Sequence, residues 1–207
     1  MRSLLERLLV RLAACDRRLD SWRRRAALAL LRAEHPALRL PASVWVEPDV
    51  LWRLDRAARV DVGAGSRLRR GCELKADRGA QVTIGRNVHL GPGTTISALA
   101  DVRIGDDCLI AERVSIRDHD HGLAVPPGLD LDAPYHARGY VAAPVVLGKN
   151  VWLGGGVTIV KGVTLGDNCV VGANAVVTKS FPANCVIAGV PARIVRMLAP
   201  LEAPIAA

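Results

Sequence analysis

Aromatic residues are scarce: four Trp, two Tyr and one Phe in 207 residues, although half of the chain is hydrophobic. A core built with so few rings is aliphatic and suits a narrow, regular interior. Paired cysteines are lacking as well. The five (15, 72, 108, 169 and 185) are odd in number and none stands in a C-x-x-C spacing, which argues against a disulfide framework or a zinc knuckle. Cys108 and Cys169 fall where a valine is otherwise found, as small buried hydrophobes in a reducing compartment would. No run approaches the ~18 apolar residues needed to span a bilayer. "LAAC" at Leu12–Cys15 imitates a lipoprotein cleavage box, but Glu6, Arg7 and Arg11 interrupt the apolar stretch that such a signal requires. The expected location is the cytoplasm. Nor is there a basic domain: of the net charge of +8, five units belong to residues 1–35, with nine Arg against four acidic residues. Nucleic acid is therefore not an expected partner.

What is present is periodicity, of two kinds, in a chain long enough for one substantial domain. Over residues 2–34, Leu5, Leu8, Leu12, Cys15, Leu19, Trp22, Ala26 and Ala29 recur at steps of three and four, one stripe of a helix. His35-Pro36 ends it, because the residue before proline is pushed out of the helical region. Residues 36–59, with Pro36, Pro41, Pro48, Trp45 and Trp52, read as a transition. From residue 60 aliphatics recur mostly every six residues: Val62, Leu68, Leu74, Ile84, Leu90, Ile96, Ile104, Ile110, Ile116, then Leu147, Leu153, Ile159, Leu165, Val171, Val177 and Ile187. A period of six fits neither a helix nor a simple strand. It fits short strands joined by tight corners, with three edges closing a turn of about 18 residues, stacked as a solenoid. Steps of ten and eight stretch the repeat, and a step of thirty-one after Ile116 extrudes a loop. That loop opens with "RDHDHG".

The repeat followed by "VLGKNVWLGGGVTIVKGVTLGDNCVVGANAVVTKSFPANCVIAGVPARIVR" at 146–196 resembles the hexapeptide-repeat acyltransferases. The resemblance implies an all-β solenoid, a left-handed parallel β-helix over residues 60–196, with an extruded active-site loop at 117–143. An N-terminal α-helical segment (1–35) would precede it and a tail (197–207) would follow. With "DHDHG" at Asp118–Gly122, the chain is most similar to acetyl-CoA-dependent O-acetyltransferases that act on lipopolysaccharide and other surface polysaccharides.

Histidine is the side chain suited to removing a proton near neutral pH. By the resemblance His119 is the general base and His121 the second choice, while Asp118 and Asp120 either orient the imidazole or are simply exposed. The acetyl-CoA site is carried over from the matching tail: Gly155 and Ala173 along the pantetheine arm, Thr178 and Lys179 near the nucleotide, Arg193 at the adenosine phosphates, and Trp152 as a wall near the thioester. Only four lysines exist in the chain, which makes Lys179 informative. Where galactoside acetyltransferases bind the acceptor with asparagine, "NVHLGPG" offers Gly91, so a simple galactoside is not the expected acceptor. Residue type nominates Tyr135, His136, Arg138 and Tyr140 for gripping a larger saccharide. No metal is expected. The family implies a homotrimer with sites shared between subunits, and Arg17, Arg18 and Arg23–Arg25 beside Leu19 and Trp22 suggest peripheral contact of residues 2–34 with an anionic membrane.

Other readings stay open on the sequence. Amino-sugar N-acetylation and xenobiotic acetylation belong to the same fold. A γ-class carbonic anhydrase would use three of His89, His119, His121 and His136 on zinc, although their spacing departs from that family. A non-catalytic β-helix scaffold would be indifferent to loss of His119.

Overall fold

The computed structural model describes residues 26, 28–47, 49–124 and 130–199. Short strands build three parallel walls of a triangular prism. Wall I stacks Leu38–Arg39, Arg59–Val62, Gln81–Ile84, Asp101–Ile104, Val145–Leu147 and Thr164–Leu165. Wall II stacks Trp45–Val46, Arg67–Leu68, His89–Leu90, Leu109–Ile110, Trp152–Leu153 and Val170–Val171, and ends in the antiparallel hairpin Cys185–Gly189/Ala192–Met197. Wall III stacks Leu51–Leu54, Glu73–Ala76, Thr95–Ala98, Ser115–Arg117, Thr158–Ile159 and Val176–Val177.

The six-residue period is the consequence of this stacking. Parallel register places like over like, so the recurring aliphatics form columns: Leu68, Leu90, Ile110, Leu153, Val171 and Ile187 inside wall II, and Leu74, Ile96, Ile116, Ile159 and Val177 inside wall III. All of these are essentially fully buried. Strands lie ~4.8 Å apart in such a ladder, so the inward side chains of each column stack closely and leave little room for rings. The single Phe181 sits at the end of the wall I column, against Leu165. Cys72, Cys108, Cys169 and Cys185 are free and buried, as small hydrophobes.

The solenoid begins earlier than residue 60. Residues 36–59, expected to be a transition, carry the first turn: Leu38 pairs with Val60, Val46 with Leu68 and Trp52 with Leu74. The sequence hides this turn because a half-buried tryptophan takes an aliphatic position and prolines stand between the strands. Residues 28–34 are helical, and Leu28 and Leu31 pack against the core, covering apolar surface at the open end of the stack as terminal caps of repeat folds must. Residues 2–25 and 27 of the expected helix, Cys15 among them, lie outside the described residues.

Successive turns differ in length. From Leu38 to Val60 and from Val60 to Val82 the chain advances 22 residues, then 20 to Val102, then 43 to Val145, and 18 between Val146 and Thr164. The surplus accumulates where wall III passes to wall I, at residues 55–58, 77–80 and 99–100, and the long loop leaves from that same corner.

Candidate active site

The loop is held to the solenoid at its neck. His119–His121 pairs antiparallel with Tyr140–Ala142, and the Ala143 N–H donates to the Asp118 carbonyl at 2.8 Å. From the turn above, Lys161 reaches Asp120 at 2.7 Å and the Gly162 N–H donates to the Ala143 carbonyl at 3.0 Å. Within the loop, Arg138 stacks over Tyr135 and donates to the carbonyls of Ala133, Leu123 and Leu131. Its guanidinium therefore binds the loop to itself, a task that residue type alone did not reveal. His136 is exposed in the adjoining 3-10 turn.

Asp118 is the residue on which the site is built. Its side chain has no solvent exposure, yet three backbone N–H groups and a histidine ring nitrogen surround it. Oδ1 accepts from the Leu99 N–H at 2.8 Å, and Oδ2 accepts from the Ala100 and Asp101 N–H groups, each at 2.7 Å. The fourth contact is His119 Nδ1, 2.9 Å from Oδ1. An unpaired buried carboxylate would be very costly; one ringed by donors is tolerated and held rigidly. The donors exist because the corner at 99–100 is short and leaves its amides facing the turn above. Asp118 thus orients the imidazole, and the alternative of simple exposure is excluded.

A proton on His119 Nδ1 is donated to this carboxylate, which leaves the lone pair on Nε2. The ring is mostly covered and meets Tyr140 edge-on at 5.6 Å between centroids. His121 lies on the exposed side of the neck, tilted against the same Tyr140 at 4.5 Å. Of the four residues nominated for the acceptor, only Tyr140 contacts either histidine.

The donor candidates spread over the prism. Thr178 and Lys179 are exposed at the III–I corner, two turns beyond the loop. Gly155 and Ala173 stack at the II–III corner on the other side of wall III, and Trp152 projects from wall II, half exposed between Leu109 and Val170. Arg193 is exposed on the terminal hairpin. In Gly154-Gly155-Gly156 the three glycines differ. A Cβ on Gly154 would fall 2.7 Å from the Ala173 backbone nitrogen, and Gly156 has φ of 69°. At Gly155 the obstacle is a movable side chain, Glu112. Among the described residues no three His, Cys, Asp or Glu side chains converge as a metal site requires.

A model described as the hexapeptide repeat of succinyl-transferase matches residues 144–179. A putative acetyltransferase of Dictyostelium discoideum is 33% identical over 149 residues, covering 72% of this chain and 74% of that protein. The chain belongs to the hexapeptide-repeat acetyltransferases. Within this family, a putative lipopolysaccharide biosynthesis O-acetyl transferase of Escherichia coli K12 is 39% identical over 112 residues, 53% of this chain and 57% of the relative. The chain thus spans little more than half the length of that relative. A crystal structure of a hexapeptide-repeat acetyltransferase from Vibrio cholerae superposes with a TM-score of 0.53 at 26% identity, covering 83% of this chain and 79% of the other.

Proposed function

We propose that this protein transfers the acetyl group of acetyl-CoA to a hydroxyl of a bacterial surface polysaccharide or its lipid-linked precursor. The observation that carries the reading is His119, its Nδ1 fixed by a buried carboxylate at the neck of an extruded loop. The acceptor oxygen attacks the thioester carbonyl while His119 Nε2 takes the hydroxyl proton. The tetrahedral intermediate collapses, the C–S bond breaks, and the imidazolium returns the proton to the departing CoA thiolate. Asp118 stabilises the imidazolium and keeps Nε2 aimed. The name of the E. coli relative supports a glycan acceptor.

The donor side requires a second copy. Thr178 and Lys179 stand at one corner of wall III, Gly155 and Ala173 at the other, and Trp152 and Arg193 belong to wall II. This spread supports a homotrimer in which acetyl-CoA lies between neighbouring solenoids, with His119 from one copy facing donor residues contributed partly by another. The reaction belongs in the cytoplasm, where acetyl-CoA is available. Among the described residues no helix is long and apolar enough to cross a membrane. The basic stripe of residues 2–34 would hold the enzyme at an anionic membrane surface, where lipid-linked glycans reside.

Two measurements test this reading. Purified protein with acetyl-CoA and extracted surface glycan should release CoA thiol and add acetyl mass to the glycan, with His119→Ala inactive. Release that survives in both His119→Ala and His121→Ala contradicts the mechanism. Deleting residues 1–34 should abolish salt-sensitive sedimentation with anionic liposomes; unchanged sedimentation removes the membrane role.

A further inference from the structure

The outer face of wall III carries a column of side chains that leads to the catalytic histidine. Register aligns Arg53, Lys75, Ser97 and Arg117, each next to a residue of the inward Trp52, Leu74, Ile96, Ile116 column. Continued through the pairing of Ile116 with Ile159 and of Ile159 with Val177, the column next reaches Val160 and then Thr178. At ~4.8 Å per strand, the four positions before the loop span about 14 Å. The cations therefore lie on one side of His119 and the donor-side Thr178 on the other.

Part of this charge is neutralised and part is not. Arg53 pairs with Glu73 at 2.8 Å and Lys75 with Asp77 at 3.3 Å. Arg117, two residues before His119, contacts the Ser115 hydroxyl at 3.1 Å and has no acidic partner among the described residues. The widened III–I corner adds two more cations. "DRAA" at 55–58 and "DRGA" at 77–80 occupy equivalent places in successive turns, which puts Arg56 and Arg78 one above the other. Neither has an acidic partner among the described residues. Three arginines without an acidic partner among the described residues thus stand along the approach to the loop, beside two paired and exchangeable cations, Arg53 and Lys75.

We infer that the acceptor is an acidic glycan chain that runs along wall III toward His119, its negative groups meeting Arg117 first and Arg78, Lys75 and Arg53 behind it. The spacing favours this. Cations repeated every one or two strand steps suit a chain whose charge recurs from sugar to sugar, and arginine binds carboxylate and phosphate oxygens in pairs. Donor and acceptor would then enter from opposite ends of one column and meet at the imidazole. The inference rests on the acetyltransfer reading for the word acceptor, but binding can be measured without transfer.

Titration calorimetry of the full-length protein compares hexagalacturonate, UDP-galactose and neutral maltohexaose at low and high salt. Hexagalacturonate is expected to bind, to weaken as salt rises, and to lose roughly tenfold in affinity in Arg117→Ala, with partial recovery in Arg117→Lys. Arg53→Ala should weaken hexagalacturonate alone, since a short diphosphate sugar does not reach that far. Equal binding of maltohexaose overturns the inference, as does unchanged hexagalacturonate binding in an Arg117→Ala protein of unaltered circular dichroism. If UDP-galactose binds and hexagalacturonate does not, the anion is a diphosphate and the chain is overturned. Failure of acetyl transfer with hexagalacturonate binding intact sinks the acetyltransfer reading and leaves this site standing.

Discussion

Two corners of the same prism are built by opposite rules. Where wall I passes to wall II, Gly63, Gly85, Gly105, Gly148 and Gly166 stack turn upon turn, and a Cβ on any of them would fall within 3 Å of the next turn. Beside them Asn87, Asp107, Asn150, Asn168 and Asn184 adopt positive φ and pass hydrogen bonds up the stack. The Arg86 N–H and guanidinium hold the Asp106 carboxyl below the usual range. Each of these corners keeps the same length of four residues between its strands. The III–I corner instead changes length at almost every turn, and it alone extrudes the loop. A corner that must repeat is closed to new chemistry, whereas a corner free to change length can leave amides for a carboxylate such as Asp118.

That contrast can be broken by substitution. The largest effect is expected at the variable corner: His119→Ala should lower turnover by on the order of 10²- to 10⁴-fold with little change in melting temperature. Steady-state kinetics and calorimetry on one preparation check it. Asp118→Asn should act on both properties. Turnover should fall about 10²-fold because the imidazole loses its orienting charge, and stability should fall by about 1–3 kcal/mol because the three corner amides lose charged acceptors. A normal melting curve with normal kinetics would remove Asp118 from the site.

At the repeating corner the expectation reverses. Gly166→Ala places a Cβ 2.3 Å from the Ala183 backbone nitrogen and should cost about 1–3 kcal/mol in urea unfolding. The KM values of the enzyme that remains folded should hold. Lys179→Ala and Arg193→Ala should raise the KM for acetyl-CoA several-fold and leave the acceptor KM unchanged; an effect confined to the acceptor would relocate the donor.

The smallest effect concerns the thiols inside the repeating corner. Burial pushes Cys108 up to about 11 and Cys169 up to about 12, from an ordinary 9.0. The native state then keeps a proton that the unfolded chain releases, so this contribution is fully present below pH 9 and is lost as pH rises toward 11–12. Melting temperature should fall across that window, less so in Cys108→Val. Neither thiol should react with iodoacetamide at pH 8 in the native protein.

Most of the solenoid was legible because its signal is arithmetic: a hexad of aliphatics fits short parallel strands joined by tight corners. The first turn escaped because Trp52 and the prolines interrupt the pattern without interrupting the backbone. His119 was legible as an unusual residue at the mouth of the one long insertion. Asp118 was legible only as one of two aspartates that either orient the imidazole or are exposed, since the choice depends on amides 17–19 residues earlier. Arg138, nominated for the acceptor by residue type, also braces its own loop through three carbonyls, which spacing along the chain does not show. Lys161 was one lysine of four until the turn above placed it on Asp120.

The sequence by itself determined the period, the aliphatic interior and the point of extrusion, because each depends only on spacing along the chain, while the resemblance of the 146–196 tail rests on its residues. The tertiary structure alone decided which side chains meet. Stacking turns of unequal length converts residues some twenty apart into neighbours at hydrogen-bond distance, and a change of two residues at a corner sets whether its amides face a strand or a carboxylate.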